Sequence, residues 1–295
     1  MRLSLKYSFL LPFLILSACG KDDDIPLPEE CDTVCNYLFL GHIYETSESI
    51  DQRIEGADLS SYSQIWLGGD ICSETTQKES TLNYLDSLFN LSSNYTHWAL
   101  GNHDIRNGNL EWITSRTGRE TFYSYYFNGI TLIVLNTNYI DSGDCTLMEE
   151  QTSLIQSVCD TISASSHLVL LMHNVVWGGA PGIKSPTFYA NANASWIPFE
   201  CNPPKRFIDV VYPQLLKAKD KGVEVVCIAG DMGQTASTFE QVSDVGIVFI
   251  GSGITSQITY HEQWPTAGKR DSVLVLTHDL LAKKLSWEFI DIDNI

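Results

Sequence analysis

The stretch LGNHD at residues 100–104 decides the fold, because it brings three polar side chains to the end of a short apolar run. The run 97–100 has the length and composition of a strand that is buried on both faces. Asn102, His103 and Asp104 follow it directly. This order is typical of an α/β domain whose functional side chains lie beyond the carboxyl ends of its strands.

Three further apolar runs lead to side chains that can bind a metal, namely Asp70, His173 and Asp231. A lone histidine after a strand is more often a packed core residue than a ligand. Four such endings in one chain are a more specific signal. In an open α/β sheet the carboxyl ends of the strands border one crevice, so we expect these side chains to converge there.

The rest of the chain alternates in the same way between apolar runs and helical patterns. Helices are predicted at 79–91, 149–163 and 206–221, the last with a kink at Pro213. Two runs on either side of residues 278–279 predict a terminal hairpin. Together these patterns predict a layered α/β domain, with strands at 37–40, 65–68, 97–100, 122–127, 131–135, 168–172, 223–229 and 246–251.

The N-terminal sequence is predicted to be an export signal that does not belong to the folded domain. Residues 1–18 combine two basic residues with a short apolar run, as in a signal peptide, and the run is too short to span a membrane comfortably. The sequence LSAC resembles the lipobox of bacterial lipoproteins, in which Cys19 is acylated and becomes the first residue. The alternative is a plain secretory signal with an incidental cysteine. The resemblance predicts a protein anchored to a bilayer surface without spanning it.

Residues 19–35 are predicted to form an acidic tether, and residues 36–295 the folded domain. The run KDDD at 21–24 reads plainly as a solvated linker. It also resembles the acidic signal that directs some Bacteroidota lipoproteins to the outer face of the outer membrane. We therefore expect a cell-envelope lipoprotein of the outer membrane, exposed at the surface.

The acidic balance limits the partners of the protein. The net charge is −18, and removal of residues 1–18, which carry two bases and no acids, makes it −20. Such a surface repels nucleic-acid backbones and anionic lipid, so neither is expected as a general partner.

Seven cysteines remain after Cys19, and in an oxidising envelope one or more disulfides are expected. Spacing alone does not determine the pairing. A cysteine-based zinc site is disfavoured, because no second closely spaced pair accompanies Cys31 and Cys35. Cys72 as a catalytic nucleophile is also disfavoured, because no base stands beside it in the sequence.

The polar endings, taken in order, resemble the calcineurin-like metallophosphoesterases. The pattern of that family runs D-x-H, G-D-x-x-[DN], G-N-H-[DE], an isolated H, and G-H-x-H, each after a strand. The stretch GNHD at 101–104 matches the third block completely, Gly69 and Asp70 begin the second, and His173 stands at the isolated histidine. The resemblance covers about residues 37–260. It implies a layered fold of mixed β-sheets flanked by helices.

The resemblance also implies roles for the matched residues. Asp70 would bridge two metal ions, Asn102 and His173 would complete one ion site, and His103 would be the general acid, oriented by Asp104. Divalent ions of the Mn, Fe or Zn class take oxygen and imidazole ligands and neutralise charge on phosphoryl oxygens. The implied activity is hydrolysis of phosphomonoesters or phosphodiesters by metal-activated water, and the implied partner is a phosphoester substrate.

The chain departs from the family pattern at three blocks. His42 takes the aspartate position of the first block, and Tyr44 takes its histidine position. Ser73 stands where the second block has Asp or Asn. In the last block Asp231 can replace the first histidine as an oxygen ligand, but Gly233 cannot replace the second. One complete set of ligands therefore remains, with His42 as a weak candidate for the other ion.

We accordingly expect one ion to be bound firmly and a second weakly or not at all. The intact block at 101–104 favours an active hydrolase. The altered first and last blocks favour a degenerate relative that acts as a binding or assembly lipoprotein. Arg106, just past the third block, is predicted either to contact the substrate phosphate or to lie in a solvated loop.

Overall fold

The computed structural model of the protein describes residues 31–138, 145–184, 206–232, 238–254 and 271–295. The predicted signal segment 1–18, Cys19 and most of the predicted tether lie outside these ranges. Strand β1 begins at Val34, two residues before the predicted start of the domain, and a Cys31–Cys35 disulfide ties the end of the tether to it. None of the helices in the described ranges has the length and apolar character needed to cross a bilayer.

The described residues form two mixed sheets. The strands are β1 (Val34–Leu40), β2 (Gln64–Leu67), β3 (Thr96–Trp98), β4 (Tyr123–Phe127), β5 (Ile130–Val134), β6 (His167–Met172), β7 (Glu224–Ala229), β8 (Thr238–Val242), β9 (Val248–Ser252), β10 (Ser272–Asp279) and β11 (Lys284–Asp291). The first sheet has the order β11-β10-β1-β2-β3 and the second β4-β5-β6-β7-β9-β8. Strands β1, β2 and β3 run parallel, as do β5, β6, β7 and β9, and antiparallel strands complete each sheet.

The helices within the described ranges are α1 (Gln52–Glu55), α2 (Glu79–Phe89), α3 (Asn102–Ile105), α4 (Leu110–Thr117), α5 (Cys145–Thr161) and α6 (Phe207–Asp220). The three predicted helices are confirmed as α2, α5 and α6, and Pro213 lies inside α6. Helices α1, α3 and α4 were missed, because one or two turns contain too few residues to show a helical period.

The two sheets pack face to face, and helices cover their outer faces. Tyr37, Phe39 and Trp66 of the first sheet share one core with Val169 and Leu171 of the second. Helices α2 and α4 pack on the other face of the first sheet, and α5 and α6 on the other face of the second. The expected α/β architecture of mixed sheets flanked by helices is confirmed. Each large apolar side chain buried in these layers contributes about 1.5–3 kcal/mol.

All eight predicted strands and the terminal hairpin are present, with shifted ends. Strand β8 was missed. Its sequence TFEQV is polar, and it pairs only with β9 at the edge of the second sheet, where a strand needs few apolar residues. The central strands β2 and β6 are buried throughout, which explains their continuous apolar runs.

Candidate metal centre

The carboxyl ends of strands from both sheets meet around Asp70. Its Oδ2 atom lies 3.4 Å from His173 Nε2 and 3.9 Å from the Nε2 atoms of His42 and His103. Asp231 Oδ1 lies 4.0 Å from His173 Nε2. The structure therefore brings together residues that follow β1, β2, β3, β6 and β7, although up to 189 positions separate them in the chain.

Four of these side chains are almost inaccessible to solvent. Asp70, His173 and Asp231 are at most 1% exposed, and His42 is 3% exposed. The side chain of His103 is 18% exposed. The interior of the cluster is therefore closed to solvent, and His103 is the member of the cluster that solvent reaches most easily.

Two buried atoms of this cluster, Asp70 Oδ2 and His173 Nε2, form no hydrogen bond of normal geometry among the described residues. They face each other at 3.4 Å, which is the distance of an ion pair when His173 is protonated. His173 Nδ1 lies 2.8 Å from the carbonyl oxygen of Gly68, to which it donates, so Nε2 is the nitrogen that faces Asp70. Metal-binding histidines are commonly oriented by a bond of this kind at the other ring nitrogen.

The donor atoms fit a divalent cation in type and spacing. Two ligands bound to one ion at about 2.1 Å lie roughly 3–4 Å apart, which is the separation of the Asp70 and His173 atoms. The described residues contain no group of three or more His, Cys, Asp or Glu side chains placed to hold an ion. His42 Nε2 lies 3.9 Å from Asp70 Oδ2, and Asp231 Oδ1 lies 4.0 Å from His173 Nε2, at the upper end of this range.

The charges in the cluster are strongly coupled. Burial disfavours a charged His173, but the Asp70 and Asp231 carboxylates outweigh it and raise the pKa of His173 to about 10. Burial lowers the pKa of His42 to about 4 despite Asp70. Burial would raise the pKa of Asp70, but the neighbouring histidines hold it well below its usual range. A proton on His173 therefore balances the carboxylates, and a bound cation would replace it.

Two residues of the cluster have a left-handed backbone. His42 has φ 52° and Asp70 has φ 54°. The other non-glycine residues with positive φ in the described ranges are three asparagines, which tolerate this conformation, and Lys283. The loops hold each other in place, since His42 N donates to Gly69 O and Ile43 N donates to Asp70 O. Asp and His, like Asn, adopt this conformation more often than most residue types, and the contacts between the loops hold it here.

Glycine is required where the loops touch. Gly69 has φ 85°, and a Cβ atom there would lie 2.5 Å from His173 Nδ1 and 2.6 Å from the backbone nitrogen of Gly101. A Cβ atom on Gly101 would lie 2.5 Å from the backbone nitrogen of Asp70. These glycines let the ends of the two sheets approach closely enough to bring Asp70 and His173 together.

The expected contact between Asp104 and His103 is not formed, which corrects the role predicted for Asp104. Its buried carboxylate lies in the first turn of α3 and folds back onto the loop that carries Asp70. It accepts hydrogen bonds from the backbone nitrogens of Asp70, Ile71 and Gly101, from Thr75 Oγ1 and from Trp98 Nε1, at 2.8–3.2 Å. His103 Nδ1 instead lies 3.1 Å from the carbonyl oxygen of Ser73. Asp104 therefore shapes the Asp70 loop.

Two further predicted residues lie beside the cluster. Asn102 is the first residue of α3, half-buried, and its amide forms no hydrogen bond with the described residues. Arg106 is at the C-terminal end of α3, with its side chain 39% exposed and Nη1 3.5 Å from Glu74 Oε1. Neither position tests the predicted contact with metal or phosphate.

Sequence reasoning missed several contacts of the cluster. The ring of Tyr44 stacks on His103, with centroids 5.0 Å apart and planes inclined by 25°. Asn174 Nδ2 lies 3.5 Å from Asp231 Oδ2, and Thr137 Oγ1 donates to Asn174 Oδ1 at 2.8 Å. The position of Asn174 directly after His173 was the available signal, because a polar residue beside a ligand often supports the site.

None of the cysteines in the described ranges takes part in this cluster. Cys72 is fully buried, and burial raises the pKa of its thiol, which does not suit a nucleophile. Cys159 is a free thiol, so it is not the partner of Cys145, which is disulfide-bonded.

Comparison of the chain with protein-family models and with curated proteins finds no match. The resemblance to the metallophosphoesterases therefore depends on the motif residues and on the geometry described above.

Proposed function

We propose that the protein is a metal-dependent phosphoesterase with the calcineurin-like fold, which hydrolyses phosphomonoesters or phosphodiesters. One observation carries the proposal: the buried atoms Asp70 Oδ2 and His173 Nε2, which form no hydrogen bond of normal geometry among the described residues, face each other where the strand ends of two sheets meet. The residues that meet there are those of the family-like motifs. The α/β layers agree with the fold, and the finer family assignment is part of the proposal.

Four side chains would hold the metal. Asp70, His173 and Asp231 provide carboxylate and imidazole donors, and Asn102 provides an uncommitted amide. The ion would act as a Lewis acid, which activates water and neutralises charge on the phosphoryl oxygens. His42 is a poor substitute for an aspartate because it brings no negative charge, so we propose one firmly held ion.

His103 is the proposed general acid, and its position supports that role. It is the accessible member of the cluster, so a substrate arriving from solvent would meet it first. Its backbone nitrogen donates to Asp70 Oδ1 at 2.9 Å, which fixes the residue relative to the carboxylate. If Nδ1 donates to Ser73 O, Nε2 is the atom that would carry a proton to the leaving oxygen.

The proposed location follows from the N-terminal segment. Cleavage after residue 18 and acylation of Cys19 would anchor the domain to the outer membrane, with the acidic tether as a spacer. The phosphoester substrate would then be met outside the cytoplasm.

The test combines metal analysis with hydrolysis of generic phosphomonoester and phosphodiester substrates. Asp70→Ala is expected to lose the metal, whereas His103→Ala should keep it and lose about 10²–10⁴-fold in rate. His167→Gln, a buried histidine at the far end of the same strands, is the control and should behave as wild type. The assignment fails if Asp70→Ala and His103→Ala match wild type in both metal content and turnover. About two tightly bound ions per chain would refute the single-ion site.

A second candidate is a degenerate relative that acts as a binding or assembly lipoprotein. It is favoured by the altered first and last blocks, in which His42, Tyr44 and Gly233 stand at family ligand positions. In this alternative, a proton on His173 balances the negative charges of Asp70 and Asp231 without a metal ion. Wild-type protein without bound metal and without hydrolysis would favour it.

A further inference from the structure

Two of the residues that depart from the family pattern, Tyr44 and Ser73, lie beside His103. Tyr44 stacks on its ring, and the carbonyl oxygen of Ser73 lies 3.1 Å from its Nδ1 atom. We propose that Tyr44 and the Ser73 carbonyl form a platform that positions the His103 imidazole. This inference rests on the proposed function only for the role of His103, and the contacts of the platform stand independently of it.

The platform restrains the ring in two directions. The Tyr44 and His103 ring centroids are 5.0 Å apart with planes inclined by 25°, within the range of favourable offset stacking. This contact limits movement perpendicular to the imidazole plane. The contact of Nδ1 with Ser73 O limits rotation within the plane. Nε2 is then directed to the side of Asp70, with 3.9 Å between Nε2 and Oδ2.

The two halves of the platform belong to loops that are bonded to each other. Ser73 N donates to Thr46 O at 3.0 Å, and Glu74 N donates to Ser47 O at 3.2 Å. The backbone of Tyr44 also forms an isolated antiparallel β-bridge with Ile50. The stack and the carbonyl contact are therefore parts of one rigid unit.

A support of this kind is needed because the side chain expected to orient His103 is engaged elsewhere. The Asp104 carboxylate accepts five hydrogen bonds from other groups. His103 is partly exposed, and a partly exposed imidazole without support would sample several rotamers. Tyr44 is therefore assigned as a positioning residue, with no step of its own in the reaction.

The experiment compares Tyr44→Phe, which keeps the aromatic face, with Tyr44→Leu, which removes it. Two-dimensional NMR of the imidazole protons is recorded on the metal-free protein, with His103→Gln used to assign the signals. We expect ring-current shifts at His103 in wild type and Tyr44→Phe and their loss in Tyr44→Leu. Turnover of a generic phosphoester should fall about tenfold or more in Tyr44→Leu, with KM within about twofold, and should remain near wild type in Tyr44→Phe.

Tyr125→Leu is the matched control. Tyr125 packs on His97, with ring centroids 4.9 Å apart, outside the cluster. This variant should shift the His97 signals and leave turnover unchanged. The platform is refuted if the His103 signals are the same in Tyr44→Leu and wild type, or if Tyr44→Phe and Tyr44→Leu lose turnover equally. If wild type shows no hydrolysis, the proposed function fails, and the NMR comparison alone decides whether the platform exists.

Discussion

Buried histidines lie at both ends of the parallel strands, and their surroundings differ. At the carboxyl end, His173 faces Asp70 and Asp231, and these carboxylates raise its pKa to about 10. At the amino end, His167 begins β6, and burial together with His278 lowers its pKa to about 4. Both histidines are at most 3% exposed. Burial lowers the pKa of both rings, so the carboxylates beside His173 account for the difference between them.

The histidines at the two ends of the parallel strands also differ in their hydrogen bonds. At the amino end, His167 Nδ1 pairs with Ser166 Oγ and His278 Nδ1 with Tyr37 Oη, each at 2.9 Å. At the carboxyl end, Asp70 Oδ2 and His173 Nε2 lie 3.4 Å apart and form no hydrogen bond of normal geometry among the described residues. A neutral, hydrogen-bonded histidine stabilises a fold without further ligands. Two carboxylates that face one imidazole form a donor set in which a cation could take the place of the proton.

The largest expected effect on the free energy of unfolding comes from adding one methyl group at one end of the parallel strands, compared with the same change at the other end. Gly69→Ala places a Cβ against His173 and Gly101, whereas Gly222→Ala, at φ 81°, has nothing within 4 Å. Both changes place an L-residue in the left-handed region, at a cost of about 1–2 kcal/mol. Only the methyl group of Gly69→Ala also overlaps neighbouring atoms. This variant should therefore lower the free energy of unfolding by about 3 kcal/mol or more in total. Urea unfolding of the metal-free protein measures both losses, and equal losses would contradict the close contact of the two sheets at this edge.

The second effect concerns the carboxylate that supports the Asp70 loop. Asp104→Asn replaces an acceptor of five hydrogen bonds by a group with two donors of its own. It should lower the free energy of unfolding by about 2–4 kcal/mol. Asp209→Asn is the control, because its exposed pair with Arg206 should contribute under about 1 kcal/mol. If the two variants unfold at the same urea concentration, Asp104 does not hold the loop.

The smallest effect is a change in pH dependence at the amino end. The pKa of His167 is lowered from 6.5 to about 4 by burial and by His278, against an opposing effect of Glu224. The unfolded chain therefore binds a proton before the folded protein does. The resulting stability is complete above about pH 6.5 and is lost as the pH falls toward 4.

His167→Gln should make this loss shallower, by up to about 1.4 kcal/mol for each pH unit. The measurement is the free energy of unfolding of metal-free wild type and variant between pH 7 and pH 4. An unchanged slope would show that His167 is not held neutral by the fold.

Much of the fold was predictable because buried strands and amphipathic helices have strong periodic signals. The runs at β2, β6 and β7 are apolar along almost their whole length, so their positions followed from the sequence. The edge strand β8 and the short helices carried no such signal. The division of the strands into two sheets follows from pairing across long stretches of chain, which periodicity does not record.

The candidate site was partly predictable for a similar reason. Each of Asp70, His173 and Asp231 follows an apolar run, and strand ends meet at one edge. The role of Asp104 was not predictable, because its five donors come from residues up to 34 positions away. The stacking of Tyr44 on His103 likewise depends on two loops that are distant in the sequence.

The sequence by itself determined which segments become strands and which polar residues stand at their ends, because these properties depend on composition and local spacing. Only the tertiary structure decided which of those residues face each other, which buried atoms lack partners and which histidine carries a proton. These properties depend on distances of 3–4 Å between segments brought together by packing, and such distances leave no local pattern in the chain.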